Sequence, residues 1–261
     1  MSEWIYNLPV VWMAVVVFAA TYVVTGCLYA LVIVAAKRER VARAFKAMSP
    51  GMLPPLGIIF GLLVAFLAAQ VWSDFDRAQA AVSREASALR GVVMLVDSFP
   101  GEPEARMKSL IRRQIDEAVT QEWPAMSQHR ATLNMVPVAL WQAMQLALSL
   151  DSRTPGQIAA QREIVVALEN ALDARRQRII VSESAVNWVK WTSAVLQGLF
   201  ALLAIAIVHC DNRIAAAIAL GIFATGIAVS IVLIASHSGP FSGQISVGPD
   251  LLLQVMPPQN P

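Results

Sequence analysis

Hydrophobic and polar positions divide this chain into four apolar runs around one long polar block. The runs extend from about Leu8 to Ala36, Leu56 to Val71, Thr192 to Val208 and Ile214 to Ala235. A bilayer core takes about 20 apolar residues in a helix, and lipid obliges backbone groups to be satisfied within the segment. The pattern therefore predicts four transmembrane helices. The second and third runs are short for a full span, but each continues into a helical pattern beyond it. The first run reads as a permanent anchor rather than a secretory signal. Met1 to Asn7 carries no positive charge, and the run far exceeds an h-region of roughly 7–15 residues.

The polar block is also helical. Trp72, Phe75, Gln79, Val82, Ala86, Leu89 and Val93 recur at three- and four-residue spacing. With no Gly or Pro between Gly61 and Gly91, span two is predicted to continue unbroken to the turn at Phe99-Pro100-Gly101. A second helix is predicted from Glu102 to Trp123, with Pro103 in its first turn, acidic residues at its start and Pro124 as its stop. A third fits Val136 to Leu150. The last fits Gln157 onward into span three, with Ile158, Val165, Leu172, Ile179 and Val186 spaced by seven. Polar residues interrupt this seam, which favours a helical bundle over a two-stranded coiled coil. After Ser238 the chain turns repeatedly, and Pro249-Asp250 is placed to start a short helix over Leu251 to Val255.

Charge adds direction to this picture. Only 15% of the 261 residues are charged, the mean hydropathy is +0.57 and the formal net charge is +2. Residues 74–190 hold 14 acidic and 14 basic side chains, so the block is neutral. The excess sits in Lys37, Arg38, Arg40, Arg43 and Lys46. Short basic loops stay cytoplasmic, which predicts residues 37–54 inside and both termini, residues 73–190 and the tail outside. Trp4, Trp12, Trp72, Trp188 and Trp191 fall near the predicted outer interface, where aromatic belts form. Cys27 and Cys210 read as small apolar fillers. So small a net charge argues against a nucleic-acid partner.

Catalytic patterns are missing. His129, His209 and His237 are scattered, and there is no HExxH, CxxC, GxGxxG, Walker loop or GxSxG, so neither an enzyme, a metal site nor a cofactor is predicted. Four features carry structural expectations. Glu85 sits beside the apolar face of the first outer helix and is predicted to pair across the bundle with Arg175 or Arg178. Burying such a pair fixes register more than it adds stability. Trp123, in Glu122-Trp123-Pro124, reads as a helix anchor, with an aromatic ligand platform as the less favoured alternative. Ala217, Gly221 and Thr225, with Gly226 beside them, form a small-residue face of span four, suited to helix packing within one subunit, to a subunit interface or to a pore lining. No span carries Asp, Glu, Lys or Arg, which weighs against a proton- or sodium-coupled transporter and leaves a passive channel open.

A short apolar span leads into Trp72, then Arg84-Glu85-Ala86-Ser87-Ala88-Leu89, Glu122-Trp123-Pro124 and Arg175-Arg176-Gln177-Arg178-Ile179. After two more spans comes Pro240-Phe241-Ser242-Gly243-Gln244-Ile245-Ser246-Val247. The order of these segments and their placement relative to the spans resembles the bacterial bestrophin-like membrane family, over roughly residues 55 to 250. The resemblance implies a multi-pass bacterial membrane protein with a helical domain between two hairpins of spans. By analogy with bestrophins, which are pentameric anion channels, it also hints at a channel. It assigns no pore residue.

The expectation is thus an all-α integral membrane protein of the bacterial inner membrane with four transmembrane helices. Residues 1–72 form the first hairpin, 73–190 an inserted extracytoplasmic bundle, 191–237 the second hairpin and 238–261 an extracytoplasmic tail. The leading function is a homo-oligomeric, passive, channel-like protein. The rival is a non-conducting scaffold or sensor that binds a partner through the outer bundle.

Overall fold

The computed structural model describes residues 9–134, 136–184, 188–243 and 245–258. Leu8, Trp4, Val186 and Gln244 lie outside the described residues. The described residues contain helices and no strand: α1 Val10–Ala36, α2 Glu39–Lys46, α3 Leu53–Leu95, α4 Glu102–Glu117, α5 Trp123–Ser127, α6 Val138–Leu148, α7 Pro155–Ser182, α8 Trp188–Val208, α9 Arg213–Ser236 and α10 Asp250–Leu253. Among the described residues four helices are long and apolar enough to cross a membrane: α1, the segment Pro50–Ser98 containing α3, α8 and α9. By contact the chain divides into two units, Met1–Trp72 with Ala185–Ser238, and Ser73–Ser184 with Gly239–Pro261.

In the first unit, several span hydroxyls bond to carbonyls of their own helix, whereas the buried Tyr29 hydroxyl has no hydrogen-bond partner among the described residues. Thr21 donates to the Val17 carbonyl at 2.8 Å, Thr25 to Thr21 at 2.7 Å and Ser230 to Gly226 at 2.8 Å. One apolar cluster gathers Met13, Leu67, Val71, Trp191, Ala194, Ile234 and Ala235, and another Val32, Phe60, Leu202, Ile205, Ala206, Leu220, Ala224 and Ile227. Trp12, Trp72 and Trp188 are exposed, but Trp191 is buried in the first cluster, a packing role rather than a belt position. Cys27 is exposed on α1 rather than filling a gap. The basic loop contains helix α2, which a loop reading of residues 37–54 overlooks.

In the second unit, the Phe99-Pro100-Gly101 turn separates α3 from α4, with Gly101 at φ +100, which glycine adopts without Cβ strain. Pro124 does not stop the second helix. A proline ring clashes with the carbonyl four residues back, and the backbone accommodates it by widening to a π-turn over Ala118–Glu122, then resumes as α5. The third helix is shorter than predicted. α7 begins with a capping box, Thr154 and Gln157 bonding each other's backbones, with Pro155 at its first position. It does not run into span three, since it ends at Ser182 and Glu183 caps it. Its buried stripe is Ile164, Leu168, Ala171, Arg175, Arg178 and Ser182, while Ile158 is 58% exposed. Of the seam read from the sequence, Ile179 is buried and Val165 and Leu172 pack against the core, while the most buried positions include Ile164, Ala171 and Arg178, one residue earlier. The tail joins this core through Phe241, Val247 and Leu252, and α10 starts after Pro249.

Candidate functional site

The most organised polar cluster among the described residues lies inside the second unit. α3 supplies Glu85 from an otherwise apolar stripe of Ala78, Val82, Leu89 and Val92, all fully buried. The π-turn supplies Glu122, which continues the buried stripe of Met107, Ile111, Ile115 and Ala118. α7 supplies Arg175 and Arg178. Glu85 and Arg178 are fully buried, and Glu122 and Arg175 are each 5% exposed.

The geometry is a chain of charge-assisted contacts. Arg178 Nε donates to Glu85 Oε2 at 2.7 Å and Nη2 to Glu85 Oε1 at 3.1 Å, a side-on bidentate pair. The same Nη2 reaches Glu122 Oε2 at 2.8 Å. Arg175 donates to the other Glu122 oxygen, from Nε at 2.7 Å and Nη2 at 2.5 Å. Two carboxylates thus neutralise two guanidinium groups, which removes the penalty of isolated buried charge. Burial lowers the pKa of Arg178, but the charges and hydrogen bonds of Glu85 and then Glu122 outweigh it and hold the pKa above its ordinary value.

Aromatic contacts extend the cluster. The Arg178 guanidinium carbon lies 4.5 Å from the Trp123 ring centroid, and Nη1 is 3.6 Å from Met126 Sδ. Trp123 Nε1 donates to the Val247 carbonyl at 3.1 Å, and its ring meets Phe241 edge-on at 5.8 Å. Trp123 is 9% exposed, so it anchors helices and offers no open platform for a ligand. Val247 N–H donates to the Pro240 carbonyl at 2.8 Å, and Gly243 takes φ +82 in the turn between them.

Sequence segments scattered over 160 positions therefore meet at one place. The pair of Glu85 with Arg178 is one of the two pairings read from the sequence. Arg175 turns instead to Glu122, whose ionic role sequence reasoning missed. The signal was present: Glu122 falls on the buried face of its helix, as Glu85 does on its own. Pro124 and Pro240 border the cluster and contribute only backbone carbonyls, Pro124 accepting from the Ser127 hydroxyl at 2.8 Å and Pro240 from Val247 N–H.

The remaining candidates lie in the first unit. Trp72 is 51% exposed. On α9 the packed face is Ala216, Leu220, Ala224, Ile227 and Ala228, beside the small-residue stripe rather than on it. Ala217 and Gly226 are exposed, Gly221 and Thr225 half-buried. A Cβ added at Gly221 or Gly226 would meet nothing within 4 Å. Thr225 shares a 2.7 Å hydrogen bond with Tyr22 of α1. Lys46 pairs with Asp211 at 3.7 Å, so the loops after spans one and three lie at the same end of this unit, as alternating spans require. Lys37, Arg38, Arg40 and Arg43 are exposed. Among the described residues no group of three or more His, Cys, Asp or Glu could hold a metal.

Four apolar helices joined to a helical unit with a charge-neutral core define a helical membrane protein. The family model of the bestrophin-like domain matches residues 17–252, and the chain belongs to the bestrophin-like family. Its fold is shared by single-substitution variants of a bacterial bestrophin homologue from Klebsiella pneumoniae. One has a TM-score of 0.70 at 11% identity, covering 92% of this chain and 96% of that one. Another has a TM-score of 0.70 at 13% identity, covering 92% and 97%. A further structure, of a membrane protein, has a TM-score of 0.68 at 10% identity, covering 91% and 95%. No curated protein matches the chain.

Proposed function

We propose that the protein is a homo-oligomeric, passive, channel-like membrane protein, without enzymatic activity. The carrying observation is the bestrophin fold extending over nine-tenths of the chain. The absence of charged residues between Glu3 and Lys37, between Lys46 and Asp74, and between Arg213 and Asp250 supports a passive path over a coupled one. Four spans alone leave little room for a pore, so the reading requires several copies. Ion flux through liposomes reconstituted with the purified protein tests it, beside native mass in nanodiscs. Oligomers with flux above empty liposomes support the reading; a strict monomer, or an oligomer without flux, overturns it.

The rival reading is a non-conducting scaffold or sensor that binds a partner protein through the helical unit. It is favoured by one observation, that the built polar network lies in that unit and not in the spans. The inner membrane of a bacterium is the location both readings share.

The basic loop supports a cytoplasmic position for residues 37–54, which puts residues 73–190, both termini and the tail outside. Cysteine labelling tests this orientation after Cys27 and Cys210 are replaced. Ser127→Cys should react with an impermeant reagent added outside, and Ala42→Cys should be protected. The reverse pattern would invert the topology.

A further inference from the structure

Helix α2 lies between two membrane-length helices and is sharply amphipathic. Val41 and Phe45 are half-buried, and Phe45 packs on the apolar cluster of Val32, Leu202 and Ile205. Arg40, Arg43 and Lys46 share the opposite face at i, i+3 and i+6, and Lys37 and Arg38 precede them in the turn. All five cations are exposed. Lys46 has Asp211 at 3.7 Å, but Lys37, Arg38, Arg40 and Arg43 form no ion pair with any described carboxylate. Residues 37–43 carry four cations against the single carboxylate of Glu39, an excess of three positive charges, and a further anion placed among them would relieve their repulsion. The contrast within this protein is plain, since the buried Arg175 and Arg178 each have a carboxylate.

We propose that α2 and the turn before it form a binding surface for the headgroups of anionic phospholipids, a site that rests on the chain spanning a membrane. Three observations select this occupant. The cations lie between the ends of two membrane-length helices, so on the membrane reading they fall near the level of a bilayer's phosphates. The apolar face of α2 is seated on the spans through Phe45, which fixes the helix at their ends and leaves its basic face exposed. The arginines are spread along an exposed surface and do not converge into a cradle, so they suit many headgroups rather than one enclosed phosphate. Clusters of four to eight Lys or Arg beside a span behave in this way.

The test uses the full chain in nanodiscs of equimolar phosphatidylcholine and phosphatidylglycerol, each spin-labelled in turn, to measure which lipid the protein holds. At low salt the protein should favour phosphatidylglycerol by about threefold or more, since each basic group at a surface contributes appreciably. High salt should bring the ratio towards one. Arg38→Gln/Arg40→Gln/Arg43→Gln should lose the preference, and the corresponding triple Lys variant should keep it. The wild-type salt series reads the same property without relying on any variant's folding. No preference in the wild type, or the same preference in wild type and Gln variant, would overturn the inference. So would loss of the preference when inorganic phosphate replaces chloride at the same low ionic strength, which would mark a free-anion site. Failure to enter nanodiscs at all would overturn the membrane reading, and this inference with it.

Discussion

Arg178 holds its guanidinium carbon 4.5 Å from the ring centroid of Trp123, and this contact joins the buried charges to the tail. The other side of the connection is the indole N–H, which donates to the Val247 carbonyl. Trp123→Phe keeps a ring under Arg178 and removes that donor, so it should cost about 1–3 kcal/mol, the range for orphaning a buried acceptor. Hydrogen exchange should then speed up over residues 240–256 while Arg178 stays paired. Trp123→Ala also opens a cavity and should cost about 3–5 kcal/mol. Tail protection equal to wild type in Trp123→Phe would show that the tail is held independently of the network.

The bidentate pair of Arg178 with Glu85 makes a second prediction. Removing one partner leaves a buried charge uncompensated, and such changes cost about 3–5 kcal/mol. Arg178→Gln strands Glu85 and weakens the hold on Glu122, so it should be the worst single change in the network. Glu85→Gln should cost less, because Glu122 still accepts from Arg178. The double variant should be less damaging than the two single losses added together. Denaturation midpoints of the four proteins in one detergent measure this, and strict additivity would mean that the pair is not energetically coupled.

Much of this site could be read from the chain, and the missing part has a physical cause. The spans were legible because lipid tolerates no charge, so their limits are written in Lys, Arg, Asp and Glu. Glu85 and the arginines stood out as charges on apolar faces. Glu122 did not, because it lies in the last turn before Pro124, where a helix ordinarily ends and its charges meet solvent. Here the helix passes through Pro124 by way of a π-turn, and Glu122 stays on the buried face. The buried stripe of α7 is only partly legible for a related reason. Ile179 is buried as the spacing predicts and Ile158 is not, and the stripe also runs through Arg175 and Arg178, whose burial depends on carboxylates carried by other helices. Local pattern does not contain that dependence.

Lys108 gives the expected pH response. Its pKa is raised above 10.5 by hydrogen bonds to Asp97 and then Glu104, at 2.8 and 2.6 Å. A raised pKa means that the folded state holds this proton more tightly than the unfolded state. The contribution is complete below 10.5 and disappears as pH climbs through the folded value. Melting temperature should therefore show no dependence on Lys108 from neutral pH to moderately alkaline pH. Lys108→Met should flatten part of the alkaline fall. Because the lysine is near the surface, the effect should be small and weaker in high salt. A Lys108-dependent slope at neutral pH would contradict the assignment.

Glycines on neighbouring spans separate packing within one copy from contact between copies. A Cβ at Gly198 would lie 3.3 Å from Ile227 Cδ1 and 3.5 Å from Phe60 Cε2. Gly198→Val should overpack this contact and cost about 1–3 kcal/mol. Gly221 and Gly226 face open space within the chain, so Gly221→Leu and Gly226→Leu should leave the stability of a single copy within about 0.5 kcal/mol of wild type. If the small-residue face of α9 receives a helix from another copy, these leucines will block its close approach. Native mass in nanodiscs should then show smaller assemblies for the α9 variants, with melting little changed, and the reverse pattern for Gly198→Val. Unchanged assemblies in both leucine variants would remove α9 from the subunit interface and direct the search to another face of the spans.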